Sequence, residues 1–302
     1  MEKSYCKLSL LSYNVNSCLN CQGLLKPEPW LIFPEDKGSI GGFFDFVPEY
    51  LRVGPWFFLA PVFVLAYTLF IFYLKPPINL ASTDPQLYSF PHIFSLVSTF
   101  NGCHILHMIL SKTGPAPLVT FTIISWTILT FRGFLAFLNP FYPIPFLSTL
   151  SSSLRFPALV AATVTFVIWN FVLAPIFYTF WSKGEEAKKN FKNWNTQYHM
   201  IHIHFLNYPI AIVSCVLTCE NVLFTEVDLW ISYFVLFMYA CLYLFILDRI
   251  GVHLYPVFSP RSKFSCFTWL TVFGLYYATF NFWNFVIEGQ YLRDVVTPLF
   301  SK

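Results

Sequence analysis

What most limits the folds open to this chain is a series of apolar runs, each about as long as a bilayer is thick. A hydrocarbon core of about 30 Å takes roughly 20 residues of α-helix. Runs of that kind fall at 55–74, 91–111, 118–139, 157–181, 200–222, 229–247 and 266–287. In lipid a segment must satisfy its own backbone hydrogen bonds, which a helix does. The expected fold is therefore all-α, a polytopic transmembrane bundle of about seven spans. The weakest run is 91–111, which holds His92, Asn101, His104 and His107 and must have its polar face covered by neighbouring helices or water. Composition agrees: 56% of the 302 residues are hydrophobic and 11% charged, against about 25% charged in soluble domains.

Before the first run lies a polar arm, so the expected organisation is an arm at 1–54 and a multi-span membrane domain at 55–302. Pro and Gly mark most joints, at Pro76–Pro77, Gly114–Pro117, Pro140–Pro145 and Gly251–Pro260. The first fifty residues lack the pattern of a cleaved secretory signal. Lys and Arg concentrate in cytoplasmic loops. With seven spans, one side carries 13 of them and the other 4, which makes the arm of this integral membrane protein cytosolic. A net charge of +3, not gathered on a polar face, excludes nucleic acid as a partner. Cys18 and Cys21 form a CxxC, but the arm adds only Cys6 and no histidine, too few ligands for zinc. Most other cysteines sit in or beside apolar runs as small hydrophobes.

Polar groups at membrane depth are costly and therefore candidates for function. In "HMIHIHFLNYP", residues 199–209, three histidines occupy six positions where a span begins. At 1.5 Å per residue, His199, His202 and His204 come to the depth of Thr120 and Thr122, and His104 and His107 arrive there from the preceding span. At 100° per residue, His199 and His202 share a face and His204 lies opposite. The three are thus not one ligand cluster. The two HxxH pairs, His104/His107 and His199/His202, suggest a metal-dependent lipid oxidase or hydroxylase, but no Asp or Glu stands at that level to orient the imidazoles. A non-enzymatic lipid-binding bundle is the other alternative. Nucleophilic catalysis needs fewer parts: a hydroxyl, a base in reach and a group to steady the base. Thr122, His204 and Asn207 supply them, with Ser125 and His202 in support and without metal or cofactor. Arg132, about 15 Å further along its helix, is expected to find a structural partner, and 182–194 reads as a solvated connector.

"FTIISWTIL" (121–129), "HFLNYP" (204–209) and "GVHLYPVF" (251–258) resemble, in order, three signatures of the androgen-induced family of integral-membrane threonine hydrolases. The resemblance implies an integral protein of the endoplasmic reticulum or plasma membrane, with a six-span core to which the run at 55–74 is an N-terminal addition, and hydrolysis of fatty acid esters of hydroxy fatty acids or similar lipid esters. It implies Thr122 as nucleophile, with Thr120 and Thr127 the neighbours if the register slips. It implies His204 as base ahead of His202 and His199, because both Asn207 and Pro209 follow it at the family spacing. In the third signature, Gly251, His253, Tyr255 and Pro256 read as a helix terminator and interface anchor.

Overall fold

The computed structural model describes residues 86–182, 184–217, 223–247, 255 and 264–289. The arm, Cys18 and Cys21, the run at 55–74 and most of the third signature lie outside them. Among the described residues the chain is almost entirely helical, with no strand. The helices are α1 (Phe90–Thr113), α2 (Phe121–Leu138), α3 (Pro145–Ser153), α4 (Arg155–Val167), α5 (Glu185–Asn195), α6 (Tyr198–Val216), α7 (Glu226–Cys241) and α8 (Phe264–Glu288). Among the described residues, four stretches are long and apolar enough to cross a membrane: Phe90–Lys112, Phe121–Leu138, Pro145–Thr179 and Tyr198–Val216. These correspond to four of the seven expected spans. α7 and α8 are helical where spans are expected; α7, at 16 residues, is short for a span, and Tyr, Thr and Asn dilute the apolar character of α8.

Local chemistry sets the helix ends. Ser89 caps α1, its hydroxyl accepting from the His92 N–H, and Gly114 stops it with φ at 69°, a conformation that suits a residue without Cβ. Thr225 and Asp228 form a reciprocal capping box at α7. Thr120 caps α2: its hydroxyl accepts from the Ile123 N–H and donates to the Pro117 carbonyl at 2.8 Å.

α4 is the hub, packing against α2, α6, α7 and α8. Phe156, Ala158, Leu159, Val160 and Ala162 are fully buried, as expected of a helix that is apolar all round. Outward-facing positions on α8 are also apolar, with Phe267, Leu270, Phe282 and Phe285 exposed. Such a surface is compatible with an integral membrane protein.

Five stretches among the described residues are π-helical, and two of them bear on the site. The segment after α4, Ile168–Leu173, and the segment His202–Leu206 within α6 are π-helical. Each lies just ahead of a proline, Pro175 and Pro209, whose ring lacks an N–H and clashes with the carbonyl four residues back. Widening by one residue relieves the clash, and such widened turns recur at functional sites.

Candidate active site

α2 and α6 lie side by side and parallel. The Asn207 amide donates to the Ser125 hydroxyl at 3.1 Å. About two turns further on, the Arg132 guanidinium donates to the Ser214 hydroxyl at 2.6 Å and to the Ser214 carbonyl. Both pairs are separated by 82 residues in the chain, so the two helices keep one register over seven residues. Thr122 and His204 are 82 residues apart as well. They therefore stand at about the same height, three residues before the Ser125–Asn207 bond on each helix, or about 4.5 Å along α2.

Each of the two has its own setting. Thr120, the first neighbouring threonine, is occupied as the α2 cap, and Thr127 is exposed on the outer face. Thr122 is half-buried in the first turn, where helix N–H groups have no acceptor within the helix. Its hydroxyl and N–H, the Phe121 N–H and the Thr120 hydroxyl converge on the Tyr255 hydroxyl. Burial pushes the Tyr255 phenol above its ordinary range, while these hydrogen-bonding groups act in the opposite direction.

His204 is 6% exposed and lies flat on Trp169, with ring centroids 3.8 Å apart and planes at 16°. Trp169 belongs to the π-helical segment after α4, and its indole N–H donates to the Asn195 side-chain Oδ1 at 3.0 Å, at the end of α5. The neighbouring Asn170 donates to the His204 backbone carbonyl at 3.0 Å. In the π register that carbonyl would face the N–H of residue 209, which is Pro and has none, so Asn170 supplies the missing donor. Asn170→Ala is expected to cost about 1–3 kcal/mol by leaving the carbonyl without its donor, read as a lower unfolding midpoint of the detergent-solubilised protein.

On α6 two buried polar atoms have no hydrogen-bond partner: His204 Nδ1 and Asn207 Oδ1. Buried polar groups are nearly always satisfied, so such orphans signal a missing partner. Trp169, Phe121 and Tyr255 also line an apolar cavity, together with Thr165, Tyr239 and Trp269. Thr122 and His204 themselves do not line it; each touches a residue that does, Tyr255 and Trp169 respectively. The Thr122 side chain is engaged with Tyr255, and His204 packs on Trp169.

The remaining histidines do not join them. His202 is buried, hydrogen-bonded to the Tyr198 carbonyl at 2.8 Å, with its ring edge-on to Trp126, and it braces α6 rather than facing the cavity. His199 is buried, but His104 and His107 are exposed on α1. The expected convergence of five histidines is therefore corrected: position along a helix gives height, and these two point outward. Among the described residues no three His, Cys, Asp or Glu side chains gather as metal ligands. Arg132 has its structural partner in Ser214.

The residues missed by sequence reasoning are Trp169 and Asn170. An Asn inside an apolar run was the available signal. Comparison of the chain with protein-family models, curated proteins and solved structures gives no significant match.

Proposed function

We propose that this chain is an integral-membrane hydrolase of lipid esters, a seven-span relative of the androgen-induced threonine hydrolases whose signatures it resembles. The observation that carries the reading is the shared register of α2 and α6, which sets Thr122 level with a buried imidazole whose Nδ1 has no partner. In the scheme, the Thr122 hydroxyl turns from Tyr255 to His204, a change between the two χ1 rotamers a helical Thr populates. Its oxygen attacks the ester carbonyl while His204 takes the proton. As the tetrahedral intermediate collapses, the C–O bond to the alcohol breaks and His204 returns the proton to the departing oxygen. Water from the cytosolic side then cleaves the acyl-threonine by the same steps. Asn207 and Ser125 hold the two helices in register, and His202 braces the mouth of α6. Neither metal nor cofactor enters.

Fluorophosphonate labelling of membranes containing the full-length protein tests this. Mass spectrometry is expected to find the adduct on Thr122, and both Thr122→Ala and His204→Ala should abolish it. An adduct elsewhere, or no reaction by folded wild-type protein, would overturn the scheme.

A further inference from the structure

An acyl transfer also needs donors for the negative charge that gathers on the carbonyl oxygen, and these work best when already fixed in place. The site has such a group in Tyr255. Its hydroxyl sits where the Phe121 and Thr122 N–H groups emerge from α2, beside the Thr122 hydroxyl. Its backbone is clamped from both sides by one side chain: the Tyr243 hydroxyl donates to the Tyr255 carbonyl at 2.8 Å and accepts from the Tyr255 N–H at 3.1 Å. Tyr243 is itself fully buried. The phenol is therefore held by the fold, and it borders the cavity beside Phe121. On α6, level with Thr122, is the buried His204, whose Nδ1 has no hydrogen-bond partner.

We infer that Tyr255 is a catalytic residue, the oxyanion donor of the proposed hydrolysis, acting with the backbone N–H groups of Phe121 and Thr122. The inference rests on the Thr122 reading. When Thr122 attacks, the carbonyl π bond opens and its electron pair moves to oxygen. That oxygen takes the place the Thr122 hydroxyl has vacated, accepting hydrogen bonds from the phenol and the two N–H groups. No proton is transferred to it. On collapse the electron pair re-forms the carbonyl and expels the alkoxide, which His204 protonates.

The experiment measures ester hydrolysis and fluorophosphonate labelling by the full-length protein in membranes, for wild type, Thr122→Ala, Tyr255→Phe and Tyr243→Phe. Tyr255→Phe removes one oxygen and keeps the ring and the backbone clamp. It is expected to lower kcat about 100-fold, as loss of one oxyanion donor does elsewhere, with KM little changed and labelling slowed in parallel. A wild-type kcat in Tyr255→Phe, or a change in KM alone, overturns the inference while a silent Thr122→Ala leaves the threonine reading standing. A fully active Thr122→Ala overturns both. If Tyr255→Phe fails to accumulate, Tyr243→Phe decides: it frees the backbone and keeps the Tyr255 hydroxyl. Misplacement of the donor should then lower kcat roughly tenfold at constant KM, and an unchanged kcat overturns the inference.

Discussion

Replacing Thr122 with Ala is expected to lower ester hydrolysis on the order of 10⁴-fold or more, the scale on which an enzyme loses its nucleophile, while the protein folds and inserts normally. The structural cost is small because Thr122 is half-buried and α2 is capped by Thr120. Thr122→Ser keeps an attacking hydroxyl and should stay within roughly tenfold of wild type, since the lost methyl only loosens χ1. His204→Ala is expected to fall as far as Thr122→Ala, and the double variant no further. Groups that act as one unit are not additive. The cycle is measured as initial rates on a long-chain ester in membranes normalised to folded protein. Losses that multiply in the double variant would mean that Thr122 and His204 do not work on the same step, and a level register would then be only a packing feature.

How far such a site can be read from sequence depends on which coordinate is asked for. Height is legible, because rise per residue is fixed: Thr122 and His204 were placed at one depth, and the 82-residue register of α2 and α6 brings them level. Azimuth is not, because it depends on which neighbours surround a helix. His104 and His107 share that depth and yet face outward. Among the described residues helix positions followed from hydrophobic length, but the start of the fourth apolar run did not. The stretch read as a Pro-rich joint begins a helix at Pro145, so the long apolar stretch runs from there to Thr179. Arg155 and Asp228, both buried, belong to that end of the bundle and were missed because they border the runs.

Long-range partners were the hardest to foresee. Tyr255 was read as a helix terminator, which its Pro256 neighbour justifies. Nothing in "GVHLYPVF" indicates that its hydroxyl meets the first turn of α2. The partner of His204 was equally hidden, since a Trp in an apolar run is ordinary. The two π-helical segments that carry Trp169 and His204 had a visible cause in Pro175 and Pro209, but a proline predicts a kink or a widened turn with equal force.

Gly102→Ala is expected to be the most damaging small substitution in the bundle, costing about 3 kcal/mol through overpacking. α1 and α2 approach so closely at this point that a Cβ on Gly102 would stand 2.2 Å from Thr130 Oγ1, 2.6 Å from its Cγ2 and 2.9 Å from its Cβ. Thr130 cannot yield by changing rotamer, because its hydroxyl is bonded to the Trp126 carbonyl at 2.8 Å and the Cβ contact persists in any rotamer. The helices must part, which strains the bond from the Trp126 indole N–H to the Gly102 carbonyl at 3.2 Å. Trp126 in turn carries the edge-on contact with His202 on α6, so loss of this approach loosens the helix pair that sets the register of Thr122 and His204. The measurement is the yield and thermal midpoint of detergent-purified protein. Thr130→Ala added to Gly102→Ala should restore stability only in part, since a Cβ remains at 2.9 Å, and Thr130→Gly should relieve the clash fully. A Gly102→Ala protein as stable as wild type would mean that α1 and α2 are further apart than described, and that His202 is braced by something other than this contact.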